Sequence, residues 1–355
     1  MSNPWAQWLA ANPPNRYALS RKAGWDAFVN SAARAPLERL SPAQLSRLSE
    51  VEREDYDEAR LVWHANLPTV KTQQLVQASS VIEQVMASGR RDGDRLRGSV
   101  VIDAAPGLGK TTIATRYARD FHRRVYRREG AFTPEGHQRL PVAFVPLSAG
   151  TTLKGLNQQL LGFYGHPAAA RVTSTRLASL AVDCVISCDT RLVIIDDVHF
   201  IDFAHRNGLE VSNHLKSLAN EMPVTFIYVG VQLREKRFFD EGRLGEQAAY
   251  AQTSRRATRV QVAPFRIDTG PGFRAWVDLL ATMETHLLLA QAHPGMLSDH
   301  AAELHRRSQG HIGSLTTLIE RSCALAITAG VEAITGDVLA ATTIDNAAQS
   351  LSRAH

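Results

Sequence analysis

Two short stretches of this sequence combine residue types and spacing that suit phosphate chemistry. The first is Ala104-Ala105-Pro106-Gly107-Leu108-Gly109-Lys110-Thr111-Thr112. Glycines at 107 and 109 let the backbone turn tightly and approach a ligand closely, and free amides ahead of a helix can wrap an anion. Lys110 would reach the outer phosphates of a nucleoside triphosphate such as ATP, and the Thr111 hydroxyl would ligate Mg²⁺. The first position of this pattern is ordinarily glycine. Here it is Ala104, which keeps the position small. The second stretch is Asp196-Asp197, at the end of the apolar run Leu192-Val193-Ile194-Ile195. Asp196 is placed to hold Mg²⁺ through water, and Asp197 to orient an attacking water. The structural alternatives are a glycine-rich turn that precedes a helix, and strand-end carboxylates that cap one.

This chemistry needs a strand before the loop and a helix after it. Ser99–Asp103 is an apolar run that predicts a buried strand, and Thr111–His122 predicts the helix. Further strands are expected over Val142–Pro146, Leu192–Asp196, Val224–Val229 and Thr258–Val262. Helices are expected between them, over Leu153–Phe163, Ser174–Ser187 and Asn207–Asn220. The polar, basic stretch Arg123–Arg139 predicts a loop. The alternation gives an α/β class with a parallel sheet covered by helices on both faces. Upstream, the stretch to Glu38 predicts an arm with short helices, and Ser41-Pro42 starts another. Charged Glu50–His64 predicts a surface helix docking one apolar edge, and Val70–Met86 a second helix. After Pro264 the strands stop, and Gly272–Gln291, Leu297–Ser308, Ile312–Ala329 and Asp337–Asn346 predict a small helical domain. The expected divisions are 1–69 for the N-terminal arm and lead-in helices, 70–264 for the α/β nucleotide-binding domain, and 265–355 for a C-terminal helical lid.

Composition sets bounds around this. The 355 residues are 44% hydrophobic, enough for a large core without disulfides or a structural metal, which excludes a disordered chain or a disulfide scaffold. No run of about 18 apolar residues occurs, so no membrane span is expected. Met1-Ser2-Asn3-Pro4-Trp5 lacks a basic and an apolar region, so no signal peptide is expected and the cytoplasm is the default. The net charge of +5 permits a nucleic-acid partner without arguing for one. Cys184, Cys188 and Cys323 fit reduced thiols; Cys184 and Cys188 lie a helical turn apart, but nothing nearby completes a metal site.

The phosphate loop, the Ile194-Ile195-Asp196-Asp197-Val198-His199 strand end, the Asn213-His214-Leu215-Lys216-Ser217-Leu218-Ala219-Asn220-Glu221-Met222 helix and the Val224–Gly230 strand resemble AAA+ transposition regulators of the TniB/TnsC type. Tyr56-Asp57-Glu58-Ala59-Arg60 through Trp63-His64 is similar to the segment leading into that family's ATPase domain. The resemblance spans Tyr56 to Ile334. It implies an AAA+ P-loop NTPase fold with ATP and Mg²⁺ as cofactors; Asp197, one methylene shorter than the glutamate of that family, predicts slow hydrolysis with ATP acting mainly as a switch. It also implies homo-oligomeric rings or helical filaments on duplex DNA, contacted mostly without regard to sequence, and a nucleoid-associated, cytoplasmic location. The partners implied are a transposase and a target-selection protein. Alternatives are a remodelling or helicase-loading ATPase, and a signalling or defence protein with nucleotide as a structural ligand.

Within that resemblance, Arg255 and Arg256 stand where one of them would reach a neighbouring subunit's phosphates, the alternative being a solvated basic pair. Lys154, with Thr151 and Thr152, stands in a loop facing a ring's channel, where it would touch a DNA backbone without reading bases. Three positions depart from the family pattern. Asp197 replaces a glutamate, Gly230-Val231-Gln232 offers only Gln232 as a polar sensor, and Gly310-His311-Ile312-Gly313-Ser314 lacks the lid's arginine. His199 reads as a structural histidine. Arg123, Arg124, Arg127 and Arg128 form a basic run, either solvated or contacting DNA or a partner. Trp5, Trp25, Trp63 and Trp276 read as packing anchors.

Overall fold

The apolar runs become five strands: β1 (Ser99–Asp103), β2 (Val142–Pro146), β3 (Leu192–Asp196), β4 (Thr225–Gly230) and β5 (Ala257–Gln261). The computed structural model describes residues 3–89, 97–170, 173–201, 206–233 and 257–344. Neighbouring strands run parallel in the order β2-β3-β4-β1-β5. β3 and β4 are buried along their whole length, so they carry apolar residues on both faces rather than alternating. Because all the strands point one way, Asp103, Asp196 and Gly230 end along the same edge of the sheet.

Contacts group the chain into two units. Residues 16–31 and 73–263 form one, and residues 1–15, 32–72 and 264–355 the other. The segment 1–69, read above as one arm, is therefore shared between them.

In the sheet unit, α1 (Lys22–Asn30) brings Trp25 into the core, fully buried. Its indole Nε1 donates to His122 Nδ1 at 3.1 Å, and its ring stacks on Phe144. Burial of His122 lowers its pKa to about 4, which keeps the imidazole neutral as an acceptor. His122 lies on α2, the helix Lys110–Glu129 that follows β1. This corrects the loop expected from Arg123. No glycine or proline interrupts the stretch before Gly130, arginine is a good helix former, and Ile113, Tyr117, His122 and Val125 keep one face buried. The basic run is thus helical. Arg123 donates to Val29 O and Ser31 O, satisfying carbonyls at the end of α1, and Arg124 pairs with Glu83 at 2.8 Å.

In the other unit, the helix Glu50–His64 opens with a reciprocal cap between Ser49 and Glu52. As expected it docks one edge, with Tyr56, Ala59 and Arg60 0% exposed and Glu50, Val51, Glu54 and Glu58 left exposed, but that edge is not purely apolar. The charges on it find partners inside. Arg60 donates to Glu332 Oε2 at 2.6 Å, to Glu332 Oε1 at 3.0 Å, to Leu288 O at 3.1 Å and to Asp57. Arg53 reaches Glu332 Oε1 at 2.9 Å, and Ala290 N–H donates to Oε2 at 3.1 Å. His64 Nε2 accepts from Leu288 N–H, and burial takes its pKa down to about 3. The expected helix 272–291 stops at Glu284, whose carboxylate then accepts from Gly295 and Leu297 N–H and so fixes the following turns. Around them pack the helices Ala301–Ser308, Ile312–Thr328 and Gly336–Ala341, with Trp276 fully buried and donating to Ala301 O.

Among the described residues no helix is long and apolar enough to cross a membrane. Glu332 is almost fully buried, so truncating Arg60 leaves its carboxylate with the partly exposed Arg53 and the Ala290 amide in place of its fully buried partner. Arg60→Met should lower the unfolding free energy by about 3–5 kcal/mol in urea titrations, and adding Glu332→Gln should recover part of the loss. A single variant as stable as the wild type would contradict this account.

Candidate functional site

The site is built where β1 gives way to α2. Gly107 and Gly109 both take the left-handed conformation, with φ of 75° and 80°, which glycine adopts without a Cβ penalty. Ala104 is not among the positive-φ residues, so its backbone does not require the usual glycine. It is nearly buried, and its N–H lies 3.4 Å from Gly230 O, continuing the β1–β4 ladder. Ala105, Pro106 and Gly107 are exposed, Leu108 anchors the loop in the core, and Thr112 lies exposed on the first turn of α2. A twenty-residue helix beginning at Lys110 directs its positive end at this loop.

From α2, Thr111 reaches a carboxylate, while Lys110 turns back to its own loop. Thr111 Oγ1 donates to Asp196 Oδ2 at 2.8 Å, although the two are 85 residues apart in sequence. Asp196 Oδ1 accepts from Asp197 N–H at 2.9 Å. Asp196 is 4% exposed, and burial raises its carboxyl pKa while these hydrogen bonds oppose the rise. Lys110 Nζ donates to Ala105 O at 2.8 Å. Burial pulls the ammonium below its ordinary pKa, and Asp196, Asp197 and Asp103 draw it back.

The residues present fit Mg-ATP. A buried carboxylate faces a hydroxyl, a lysine stands beside them, and the loop's glycines leave room for phosphate oxygens. Lys110 and residues 104–112 would hold the phosphates, and Thr111 with Asp196 the metal.

Asp197 follows β3 with φ 58°, opening a short 3-10 turn over Val198–Phe200. Aspartate enters the left-handed region several-fold more readily than most residues. The backbone here therefore gives a physical reason for aspartate where the family pattern has glutamate. His199 Nδ1 lies 3.9 Å from Asp197 Oδ1, and its ring packs on Phe200.

The other residues singled out from the sequence fall elsewhere. Lys154 is exposed on the first turn of the helix Leu153–Tyr164. Thr152 caps that helix by accepting from Gly155 N–H, and Thr151 closes the preceding turn with Ser148. Arg255 and Arg256 lie outside the described residues. Gln232 is exposed, just after β4, with φ 54°. In the other unit, Gly310 meets a packing demand. Its φ is 68°, and a Cβ there would lie 2.2 Å from Phe265 O.

Sequence reasoning missed Asp103. It is half-buried at the end of β1, and its Oδ1 accepts from Leu233 N–H at 3.1 Å. A carboxylate ending an apolar strand directly before a phosphate loop was the available signal.

Comparison with known proteins agrees with this geometry. Residues 93–238 match the family model described as an AAA domain. No curated protein matches the chain. Among solved structures, the ORC2 protein of Aeropyrum pernix superposes with a TM-score of 0.57 at 15% identity, over 81% of this chain and 69% of that one. The Aeropyrum pernix ORC1 protein in complex with DNA gives 0.55 at 14% identity, over 80% and 66%. Cdc6p from Pyrobaculum aerophilum gives 0.51 at 12% identity, over 76% and 66%. The chain thus spans about two thirds of the length of these proteins, and identities this low speak to fold alone. A parallel five-stranded sheet, a glycine loop opening a helix from its first strand, and an AAA-domain match over that region together give this chain the AAA+ P-loop NTPase fold.

Proposed function

We propose that this chain binds Mg-ATP at residues 104–112 and uses the bound triphosphate as a switch for self-assembly on duplex DNA. The observation that carries the reading is the Thr111–Asp196 hydrogen bond beside Lys110, which joins the two halves of a metal-phosphate site. Mg-ATP would supply the phosphoryl group and the charge that these residues are arranged to meet. Lys110 would orient and neutralise phosphate oxygens, and Asp196 with Thr111 would hold the metal. Asp197 orients the attacking water and accepts its proton. Because aspartate is one methylene shorter than glutamate, the water is held about an ångström out of place, which can slow chemistry on the order of 10²-fold. A long-lived ATP state suits a switch.

Between subunits, Arg255 or Arg256 would reach the neighbour's phosphates, so ATP favours the assembly. The assembly then aligns copies of Lys154, with Thr151 and Thr152, along a DNA backbone. The finer role, a regulator linking a target-selection protein to a transposase, rests on the TniB/TnsC resemblance. A replication-initiator or helicase-loading role is the second reading. It is favoured by the fold likeness to ORC1, which was solved in complex with DNA. Co-purification with a transposase rather than a replicative helicase separates the two.

Mg-ATP should raise the melting temperature of the wild type by mass action on the folded state. Lys110→Ala should lose most of that gain, since each charged hydrogen bond is worth about 1.5–3 kcal/mol. Equal stabilisation of both proteins would sink the site assignment.

Turnover should be slow in the wild type, abolished by Asp196→Ala and raised by Asp197→Glu. The glutamate should also cost some thermal stability, because it must adopt the left-handed backbone at 197. Wild-type hydrolysis at motor-like rates would count against the switch.

Sedimentation and electron microscopy with and without a non-hydrolysable ATP analogue should show DNA binding only with nucleotide, falling steeply with salt. Lys154→Ala should weaken it evenly across sequences, and changing Arg255 and Arg256 together to Ala should abolish assembly while sparing the fold. Tight DNA binding without nucleotide would overturn the proposal.

A further inference from the structure

Asp103 is a carboxylate that the nucleotide chemistry above does not use, yet it stands at the root of the phosphate loop. It is the last residue of β1, paired in register with Gly230 of β4 and Gln261 of β5. The next residue begins the loop. β4 lies between β1 and β3 in the sheet, so the turn leaving β4 emerges between the phosphate loop on one side and Asp196 on the other. That turn leaves the sheet at the same edge as the phosphate loop and Asp196, and among its described residues the polar side chain is Gln232, which is exposed.

The turn is demanding to form. Gln232 takes φ 54°, a region that residues with a side chain rarely adopt unless the surroundings impose it. A Cβ at Gly230 would lie 2.7 Å from Leu233 Cδ2, so any larger residue there would force the Leu233 side chain to shift. Leu233 is 1% exposed, so its side chain is locked in the core directly after the strained residue. What fixes the backbone at this point is the 3.1 Å hydrogen bond from Leu233 N–H to Asp103 Oδ1. Without an acceptor, that buried amide is left unpaired and the turn loses its side-chain tie to β1.

We propose that Asp103 is a positioning residue, tying the turn that carries Gln232 to the base of the phosphate loop so that a shift in the loop moves Gln232 with it. The tie runs through one hydrogen bond and two residues of ladder, Ala104 N–H to Gly230 O being the other link. Asp103 also places negative charge near Lys110, along with Asp196 and Asp197. The two effects oppose each other. The hydrogen bond holds Gln232 for the chemical step, while the charge disfavours anionic phosphates. An asparagine at 103 separates them, because its carbonyl oxygen still accepts from Leu233 N–H and it carries no charge.

This inference rests on the reading that residues 104–112 bind ATP. The experiment compares wild type, Asp103→Ala, Asp103→Asn, Gln232→Ala and Asp103→Ala/Gln232→Ala in the full chain. Single-turnover ATP hydrolysis and Mg-ATP affinity are measured together with amide hydrogen exchange over residues 228–233, with and without Mg-ATP. Asp103→Ala should slow hydrolysis at least tenfold while Mg-ATP binds as tightly as in the wild type or up to a few-fold more tightly. Asp103→Asn should restore at least half of the rate. The double variant should be no slower than Gln232→Ala alone, since both remove one device.

In the wild type and Asp103→Asn, Mg-ATP should increase exchange protection over 228–233; in Asp103→Ala that response should vanish. Wild-type rates in Asp103→Ala would overturn the proposal. So would equal slowing by Asn and Ala, multiplicative rate losses in the double variant, or an unchanged exchange response. If Asp103→Ala does not fold, Asp103→Asn against Asp103→Leu in the same exchange assay decides the matter. A wild type that fails to bind Mg-ATP refutes the nucleotide reading instead. In that case, Leu233 amide protection in Asp103→Asn but not Asp103→Ala still upholds the tether, and equal protection in both rejects it.

Discussion

A single carboxylate taken almost completely out of water organises this protein's candidate site. Asp196 is 4% exposed, and an ionised group in that position is costly unless it is hydrogen-bonded and faces positive charge. Thr111 Oγ1, the Asp197 amide and nearby Lys110 supply those partners. Each requirement fixes another part of the fold. Thr111 can reach only if α2 starts just past the short loop that follows β1. That start requires left-handed glycines at 107 and 109, and Asp196 must end a strand in the same parallel sheet as β1. The sheet order then places β4 between the two, which brings Gly230, Gln232 and the Asp103 tether to the same edge.

Two departures from the expected pattern have local backbone explanations. Ala104 replaces a glycine where the backbone does not enter the positive-φ region, so the methyl group carries no conformational penalty. Asp197 sits where the chain leaves β3 in the left-handed region, a conformation that aspartate tolerates better than glutamate does. In both cases the local chain path has a say in residue type alongside the ligand chemistry.

The second unit follows a different logic. Its helices hold a charged cluster in which Arg60 and Arg53 each bridge Asp57 and Glu332, the latter a residue itself at φ 58°. Breaking one partner of such a cluster strands the rest, so the helix Glu50–His64 is bound into that unit by more than its apolar edge. His64, kept neutral by burial, accepts the Leu288 amide within the same arrangement.

The sequence by itself determined the strands, the phosphate loop and the Asp196-Asp197 pair, because those signals are local. An apolar run of five residues, a glycine spacing and a strand-end carboxylate need no knowledge of distant neighbours. It misjudged Arg123–Glu129, and it did not foresee Arg60 on the docked edge of Glu50–His64, because a charge looks solvated until its partners are known. Arg123 finds the end of α1, and Arg60 finds Glu332, 272 residues away. Trp25 likewise gave no hint that it would cross from an N-terminal helix to stack on Phe144 and hydrogen-bond His122. Tertiary structure alone decided that Asp103 would meet Leu233, which lies 130 residues further on. Only strand order sets that meeting. β4 lies beside β1 in the sheet although two strands separate them in sequence, and no periodicity or motif records which strands become neighbours.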